Sequence, residues 1–312
     1  MPDFTLTPAG PFSLTASTRF LEGFAPAAYH GHTAAHIDLA FPVDGDWRTV
    51  GVRLQQDERS GTVAGEVVGD PAIDPEAIRA QVARVLSLDV NGTGFPQIGQ
   101  HDPVVRRLQQ RYPGLRPVTF WSPYEAAAWT VIGQRIRITQ AARIKARMAE
   151  HLGERVGLHG DTLAAFPTPA RLATLDRFPG LPDRKVRWLR ALAAAALDGQ
   201  LNAQRLRSLP REQALTELQV LPGIGGFAAE LILLRGAGDP DHFPSHEPRL
   251  QRAMARAYHL DEPPALEQLR AIAEGWRPYR TWVSLLLRTE LEDNTHEIAN
   301  QARHLSTQTR RP

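Results

Sequence analysis

One segment constrains the fold of this chain more than any other, the run LQVLPGIGGFAAELILLRG from Leu218 to Gly236. An apolar helix ends early in this run, a turn of proline and glycine follows, and a second apolar helix begins. Gly223 and Gly225 allow backbone angles closed to other residues and remove side chains that would block close approach. Ile224 would lock the two helices together. The segment therefore predicts a tight helical hairpin.

The main chain of this turn carries the first functional prediction. We expect the N–H groups of Gly223, Ile224, Gly225 and Gly226 to point outward together. Such a nest of donors suits phosphate oxygens, so the turn is a candidate site for a nucleic-acid backbone. A tight turn in an ordinary helical bundle is the alternative interpretation.

The distribution of charge favours a polyanionic partner. The 312 residues include 36 Lys and Arg against 34 Asp and Glu, a formal net charge of +2. Residues 1–112 hold 9 basic and 13 acidic residues, or −4, which leaves 27 against 21, or +6, for residues 113–312. The basic balance therefore belongs to the part with the hairpin. A domain charge of +6 also has an ordinary interpretation, without nucleic acid.

Composition excludes several classes of protein. The chain has no cysteine, which removes disulfides, thiolate zinc sites, iron–sulfur clusters and cysteine nucleophiles. No stretch approaches the roughly 18 uncharged apolar residues of a membrane span. The first residues, MPDFTLTPAGPFSL, lack a basic region followed by an apolar core, so we expect no secretory signal. A cytoplasmic protein is the resulting expectation.

The first third of the chain predicts a small antiparallel sheet with a helix. HIDLAF and TVGVRL alternate, which places Ile37, Leu39 and Phe41 on one face. Asp44-Gly45 between them indicates a hairpin turn, and TVAGEVV is a third strand. DPEAIRAQVARVLSLD predicts an amphipathic helix, and VNGTGFPQIGQHDP is interpreted as a connector.

The pattern from Ser122 onward is helical. Ser122 as N-cap, Pro123 and Glu125 form a predicted capping box. Further helices are predicted at 139–151, 169–176, 182–198, 211–219, 227–236, 248–258, 264–275 and 280–290. We therefore predict an α+β protein with an antiparallel-sheet domain at 1–112, an all-α domain at 113–298 and a polar tail at 299–312.

Several motifs follow one another along the helical part. PYEAAAWTVIGQ, FPTPARLATLD and GLPDRKVRWLRALAAAALDG precede LPGIGGFAAELILLRG, FPSHEPRLQRA and WRPYRTWVSLLL. This series resembles the helix-hairpin-helix DNA glycosylase superfamily, and most of all its AlkA-type 3-methyladenine DNA glycosylase II branch. The resemblance covers residues 115–290 strongly and 8–112 more weakly. It implies a monomeric, nucleoid-associated bacterial enzyme of base excision repair. Such an enzyme flips a damaged, alkylated base out of double-stranded DNA and hydrolyses its N-glycosidic bond.

The resemblance also assigns a catalytic position. In the family, an F-P pair after the hairpin and two further residues precede an aspartate that stabilises the oxocarbenium-like sugar. On this chain Phe243 and Pro244 match the pair, and the aspartate position falls on Glu247, preceded by His246. Glutamate carries its charge about one methylene further out, and a misplacement of about 1 Å can cost about 10²-fold in rate.

Three interpretations of this departure are open. Glu247 acts as the carboxylate after a small backbone adjustment, the protein binds damaged or distorted DNA with little catalysis, or the site has moved, for example to Asp239 or Asp241. His242 and His246 as a metal pair is a weaker hypothesis, because the prolines argue against a helix and metal sites usually need a third ligand. We expect no metal site.

Phe227 bears on the nucleophile. Bifunctional members of the superfamily carry a Schiff-base lysine where this chain has Phe227. An imine needs an amine, so the resemblance implies a monofunctional glycosylase with water as nucleophile. No cofactor is expected, apart from a monovalent cation that the hairpin carbonyls of the family can hold.

The resemblance places Phe20 and Phe227 among the aromatic residues of the base pocket. Leu231 stands where the family has another aromatic residue, and Arg288 stands where it has a stacking tryptophan. Alkylated purines are cationic and favour electron-rich rings. Arg288 would repel them unless its guanidinium stacks or pairs with Glu247. Core packing is the alternative role of the two phenylalanines.

Gln134 and Arg135, in VIGQRIRI, fall where the family inserts a side chain into the gap left by the flipped base. The guanidinium of Arg135 can stack on bases and contact phosphates. A solvated arginine at a helix end is the alternative interpretation.

Overall fold

The computed structural model describes residues 3–24, 26, 36–261 and 263–295. Within these ranges the chain forms a four-stranded antiparallel sheet, a two-stranded hairpin and many helices, which confirms the predicted α+β class. None of the described helices combines the length and the apolar character needed to cross a membrane. The tail predicted at 299–312 lies outside the described residues.

The N-terminal sheet follows the predicted alternation of apolar residues. Its strands are β1 (Phe4–Leu6), β2 (Ile37–Pro42), β3 (Thr49–Gln56) and β4 (Val63–Val68), in the spatial order β1-β4-β3-β2. The predicted apolar faces of β2 and β3 meet in the buried cross-strand pairs Ile37–Leu54, Leu39–Val52 and Phe41–Val50. Two helices, α1 (Leu14–Gly23) and α2 (Pro75–Val85), complete this core.

The interpretation of VNGTGFPQIGQHDP as a connector is wrong. Half of this stretch forms helix α3 (Phe95–His101), which is followed by α4 (Pro103–Arg111). A seven-residue helix is too short to be stable alone, so its stability comes from burial. The ring of Phe95 packs edge-on against Trp282, with 5.2 Å between ring centroids. A local sequence pattern could not show this distant partner.

The helical part matches the predicted segments closely. It contains α5 (Pro123–Gly133), α6 (Ile138–Leu152), α7 (Pro169–Ala173), α8 (Asp183–Leu197), α9 (Ala203–Ser208), α10 (Arg211–Val220), α11 (Gly226–Leu231), α12 (Pro248–Tyr258), α13 (Leu266–Glu274) and α14 (Arg280–Thr295). Helix α11 continues into a π-helical turn, Ile232–Gly236. An unpredicted hairpin, β5 (Arg155–Leu158) with β6 (Asp161–Ala164), separates α6 from α7.

Only half of the predicted capping box is formed. The Ser122 hydroxyl accepts the N–H of Glu125 at 3.1 Å. The Glu125 carboxylate turns away from the cap and pairs with the buried Lys145 ammonium at 2.6 Å. Because both groups are buried, the charge of Glu125 is better compensated by the lysine than by a main-chain N–H.

The helical part contains two hydrophobic cores. Helices α5 to α11 share one core, and α3, α4 and α12 to α14 share the other. The hairpin belongs to the first, whereas Phe243 and the helices that follow it belong to the second. The loop at 237–247 therefore runs along the boundary between the two cores. A domain division at residue 112 stays a prediction, and α3 and α4 pack with the C-terminal helices.

Arg84 of α2 joins the N-terminal part to the end of the hairpin. Its buried guanidinium donates to the carbonyl oxygens of Gly236 at 2.5 Å, Trp121 at 2.5 Å and Phe120 at 3.3 Å. Burial lowers the pKa of this guanidinium. The Trp121 oxygen also accepts from Gln81 Nε2 at 2.8 Å and the Phe120 oxygen from Thr119 Oγ1 at 3.0 Å, so Arg84 supplies the charged donor of a shared network.

Replacing Arg84 by alanine is expected to lower the free energy of unfolding by about 3 kcal/mol, because three carbonyl oxygens lose their charged donor. Urea denaturation measures the change. The matched control is Arg79→Ala on the same helix, whose guanidinium is exposed and pairs with Glu76; this variant should remain close to wild type. Equal losses in both variants would contradict the role given to Arg84.

Candidate active site and nucleic-acid interface

Gly223 and Gly225 of the hairpin turn have different roles. Gly223 has φ +82°, and a Cβ there would come within 2.7 Å of the Trp188 ring, so the fold itself requires glycine. Gly225 has φ −102°, and nothing lies within 4 Å of a Cβ placed on it. The predicted need for unusual backbone angles therefore holds for Gly223 alone. Ile224 is buried between the helices as predicted, and the space at Gly225 is open to a partner.

The loop after α5 is bonded to this turn. Gln134 donates from Nε2 to the carbonyl oxygen of Gly223 at 2.5 Å. The buried Lys185 ammonium donates to the carbonyl oxygens of Ile132 and Gln134, both at 2.7 Å. Burial lowers the pKa of Lys185. The lysine thus satisfies carbonyl groups at the end of α5 and fixes the loop beside the hairpin.

Arg135 follows in the left-handed region, with φ +55°. It lies at a surface cleft of about 540 Å³, which is lined by Arg135, Ile136, Arg137, Gln140 and Arg143. The two predicted gap-filling residues, Gln134 and Arg135, therefore lie between the hairpin turn and a basic cleft. That position suits contact with a polyanion.

Glu230 fastens the candidate catalytic loop to the hairpin. This residue of α11 is only 4% exposed. Its carboxylate accepts the main-chain N–H groups of Ser245 and His246 at 3.3 and 3.1 Å, and the Ser245 hydroxyl at 3.1 Å. The rings of His242 and His246 approach it to 3.3 and 3.0 Å.

These contacts set the ionisation of Glu230. Burial alone would raise the pKa of the carboxyl, but the hydrogen bonds from His242 and His246 outweigh burial and lower the pKa to about 2. The carboxylate is thus charged at neutral pH and saturated by donors from one short stretch of chain. The His246 ring also lies over Gly226, where its Nε2 is 3.4 Å from the position of a Cβ.

Arginines hold the first residues of the same loop. Asp239 accepts from Arg211 Nε at 2.9 Å. Asp241 accepts from Arg280 Nε at 2.8 Å and from Arg277 Nη1 at 3.1 Å. The structure therefore uses the two alternative catalytic aspartates as anchors at the start of the loop.

Glu247 lies at the end of this loop, at the N-cap position of α12. The residue has φ −107° and ψ 98°, and its side chain makes no capping hydrogen bond. Its carboxylate instead forms an ion pair with Arg288 of α14. The two side chains are 22% and 24% exposed, respectively. Of the two arrangements considered for Arg288, the structure has the pairing with Glu247.

Arg235 lies close to the predicted pocket residue Phe20. Its guanidinium carbon is 5.3 Å from the centroid of the Phe20 ring and 4.7 Å from that of Phe24. It donates to the carbonyl oxygen of Val118 at 2.7 Å. Burial, with a smaller contribution from the charge of Arg288, lowers the pKa of Arg235 to about 9. Phe20, Arg235, Arg288 and Glu247 are therefore neighbours.

The other predicted pocket residues lie on the hairpin side. Phe227 is 47% exposed, whereas large aromatic residues are mostly buried in folded proteins. Leu231, one turn further along, is partly buried against the core of α5 to α11. Among the described aromatic rings, Phe227 is not paired with Phe20. Phe227 and Leu231 thus belong to α11, whereas Phe20 belongs to α1.

A metal site is not formed by the two histidines of the loop. Both rings face Glu230, which uses their nitrogen atoms as hydrogen-bond partners. In the ranges that the structure describes, no group of three or more His, Cys, Asp or Glu side chains is arranged to hold a metal ion.

The sequence arguments missed three residues that build the site, Lys185, Glu230 and Arg235. Two of them left a weak signal. Glu230 is the single acid within the apolar run from Phe227 to Leu234, and Lys185 is one of only two lysines in an arginine-rich chain. A charged residue on an apolar helix indicates a buried partner. Neither signal says where that partner lies.

Comparison with known proteins gives consistent relatives. No family model matches the chain. DNA-3-methyladenine glycosylase 2 of Escherichia coli K12 is 32% identical over 212 residues, which cover 66% of this chain and 69% of that protein. A Mycobacterium tuberculosis protein, named "Probable bifunctional transcriptional activator/DNA repair enzyme AlkA", is 30% identical over 217 residues. That match covers 68% of this chain but only 42% of the longer relative.

A solved structure supports the fold over nearly the whole chain. The 3-methyladenine DNA glycosylase of Archaeoglobus fulgidus superimposes with a TM-score of 0.76 at 22% identity. The superposition covers 94% of this chain and 99% of the archaeal one. The match thus includes the sheet as well as the hairpin and the helices around it.

Replacing Glu230 by glutamine is expected to lower the free energy of unfolding by about 2 kcal/mol at neutral pH, because buried donors lose a charged acceptor. The pKa of the folded carboxyl lies near 2, below its ordinary value of 4.5. Its stabilisation is therefore complete above about pH 4.5 and disappears as the pH falls toward 2. Urea denaturation at several pH values should show wild type and variant converging over that window.

Glu212→Gln serves as the control for this prediction, since Glu212 is an exposed residue of the preceding helix. It should follow wild type at every pH. A Glu230→Gln variant with undiminished stability at neutral pH would show that the loop is held by other contacts.

Proposed function

Since the chain belongs to the AlkA-type 3-methyladenine DNA glycosylase II family, we propose that it is a monofunctional DNA glycosylase of base excision repair. Its substrate would be double-stranded DNA with damaged, above all alkylated, bases, and its reaction the hydrolysis of the N-glycosidic bond. One observation carries the proposal. The Glu247 carboxylate leaves its own helix end uncapped and lies on a loop that Glu230 fastens to the hairpin.

The arrangement supports a division of tasks among these residues. The main chain at Gly223, Gly225 and Gly226 would bind the phosphates of the lesion strand, with the open space at Gly225 allowing the close approach. The predicted donor Ile224 is excluded, because its N–H donates to the carbonyl oxygen of Leu221 at 3.1 Å. Gln134 and Arg135 would fill the gap left by the flipped base. The base would stack on the exposed ring of Phe227, with Leu231 on the same helix and Phe20 and Arg288 on other elements completing the pocket.

Glu247 would act on the sugar. Breaking the bond between C1′ and the base leaves positive charge on the sugar, which a nearby carboxylate stabilises. Water then adds to C1′, and its proton passes to Glu247 and on to solvent. Asp239 and Asp241 are engaged by arginines, and so is Glu247, so arginine pairing does not distinguish the three carboxylates. The match of Glu247 to the family's catalytic position favours it as the catalytic residue.

A lyase step through an imine is not part of the proposal. Phe227 has no amine, and both lysines of the chain are committed to buried contacts. Lys145 pairs with Glu125, and Lys185 donates to two carbonyl oxygens. Neither ammonium is presented to a sugar.

A second candidate function has its own support, a non-catalytic or weakly catalytic protein that binds damaged DNA. The ion pair between Glu247 and Arg288 favours it, because a carboxylate held by a guanidinium stabilises a second cation less strongly. In either function the protein would act as a monomer at the nucleoid of a bacterial cytoplasm.

The hairpin turn would also suit a monovalent cation. The carbonyl oxygens of Leu221 and Gly223 each accept one hydrogen bond and retain a lone pair that could bind it.

The catalytic role predicts opposite results for two substitutions of Glu247. Glu247→Gln should reduce free-base release from an alkylated duplex by about 10²-fold or more, because it removes the charge that stabilises the sugar cation. Glu247→Asp should retain or increase release, since it restores the shorter reach of the family residue. Single-turnover release of labelled base, measured beside DNA affinity, separates chemistry from binding.

Two controls sharpen this experiment. Asp239→Asn tests the hypothesis of a moved site and should keep its activity, apart from any loss of stability. A Glu247→Gln variant as active as wild type refutes the catalytic role. Absence of release by wild type, together with preferential binding to damaged duplexes, would leave the binding protein as the function.

The hairpin predicts a substitution that affects all DNA alike. Gly225→Leu should weaken binding to damaged and undamaged duplexes by at least about tenfold, because the new side chain occupies the space through which the backbone approaches. Gly157→Leu is the matched control, since a Cβ at Gly157 of β5 also meets nothing within 4 Å. Fluorescence anisotropy measures both. Altered lesion preference with unchanged affinity would contradict the role of the hairpin.

A further inference from the structure

The groups around Glu247 carry an unusual balance of charge for a pocket that would receive cationic bases. Arg288 forms the ion pair with Glu247. Arg235 lies near enough for the charge of Arg288 to lower its pKa, and its guanidinium covers the ring of Phe20. This region thus holds two guanidinium groups and one carboxylate, with Arg288 in contact with Glu247 and Arg235 buried behind it. The aromatic face of Phe20, which could attract a cation, is already occupied by Arg235.

We infer that Arg288, with Arg235 behind it, makes this pocket select uncharged damaged bases over positively charged ones. The inference rests on the proposed function and specifies the substrate class of the same site. It divides alkylated and otherwise damaged bases by charge. Purines alkylated at ring nitrogens N3 or N7 are cations, whereas hypoxanthine and cyclic adducts such as 1,N6-ethenoadenine are uncharged.

Electrostatics disfavours the cationic class here. A positively charged base beside Arg288 would face a like charge in a partly desolvated site, since the Arg288 side chain is only 24% exposed. The opposing carboxylate does not cancel this repulsion, because Glu247 is already shared with the arginine. Phe227 offers a stacking surface to bases of either charge.

Hydrogen bonding favours the uncharged class. A guanidinium presents a planar fork of donors, and the O6 and N7 atoms of a 6-oxopurine form the matching pair of acceptors. Arg288 contacts Glu247 through Nη1, and a guanidinium has five N–H donors in all. Methylation at N7 removes one of the two acceptors and adds the unfavourable charge at the same time.

The same contact assists the departure of an uncharged base. The electron pair of the bond to C1′ goes to the base, whose negative charge the guanidinium stabilises until solvent supplies a proton. The oxygen of water bonds to C1′, and the proton of that water passes through Glu247 to solvent. A base that is already cationic needs no such help, so Arg288 contributes to only one of the two classes.

Two duplexes test the inference, one with hypoxanthine and one with 7-methylguanine, which are 6-oxopurines of opposite class. They differ in charge, in the N7 acceptor and in the 2-amino group, and the lysine variant isolates the effect of charge. Base release and duplex affinity are measured for wild type, Arg288→Gln and Arg288→Lys. The ratio of kcat/KM for hypoxanthine to that for 7-methylguanine should fall by about tenfold or more in Arg288→Gln, which corresponds to about 1.4 kcal/mol. The lysine variant keeps the charge and should disfavour 7-methylguanine as wild type does.

Using the ratio removes effects common to both substrates, such as the release of Glu247 from its partner. Arg107→Gln is the control. It breaks another arginine–glutamate pair, between Arg107 of α4 and Glu290 of α14, and should leave the ratio unchanged. Thermal unfolding of each variant verifies the fold.

The outcomes separate this inference from the proposed function. An unchanged ratio in Arg288→Gln, an equal shift in Arg107→Gln, or a lysine variant that behaves like the glutamine variant would overturn selection by charge. Wild type that releases neither base would contradict the enzyme. In that case the ratio of the two duplex affinities, measured with the same variants, still supports or refutes selection by Arg288.

Discussion

The carboxylate of Glu230 is the contact on which the candidate site depends. It joins the second helix of the hairpin to the loop that carries Glu247, and it does so through donors that are almost adjacent in sequence. A buried charge without partners would be very unfavourable, so the loop must follow the one path that brings its N–H groups and both histidines to this carboxylate. The main chain immediately before Glu247 is thereby fixed relative to the hairpin.

The other side of the turn is also held by a small number of contacts. Gly223 must be glycine, because its φ and the Trp188 ring leave no room for a side chain. Its carbonyl oxygen accepts from Gln134, whose own carbonyl oxygen accepts from Lys185. The loop with Gln134 and the hairpin turn are therefore joined by a chain of hydrogen bonds. A Cβ at Gly225 would meet nothing within 4 Å, which is the reason for proposing that its small size serves a bound partner.

The two departures from the family at positions 247 and 288 are better explained together than separately. They lie more than forty residues apart in the chain, yet their side chains form one ion pair. The additional methylene of glutamate lengthens the reach of the carboxylate, and the arginine supplies a partner where the family has a ring. The guanidinium of Arg235 lies over the Phe20 ring and adds a second positive charge near this ion pair. A change in the preferred base follows more simply from this coupled set than from either substitution alone.

The sequence by itself determined the hairpin, the α+β class, nearly all helices of the C-terminal part and the position of the candidate carboxylate. Those features depend on local periodicity, on glycine and proline, and on a motif order that survives in the chain. The sequence did not predict helix α3, the hairpin of β5 with β6 or the partners of Glu125, because their stability comes from contacts with distant residues. Only the tertiary structure decided that Glu230 anchors the loop, that Lys185 fixes Gln134, and that Arg288 pairs with Glu247 instead of stacking. A buried or half-buried charge announces in the sequence that it needs a partner, but the choice of partner is made by the fold that brings the two together.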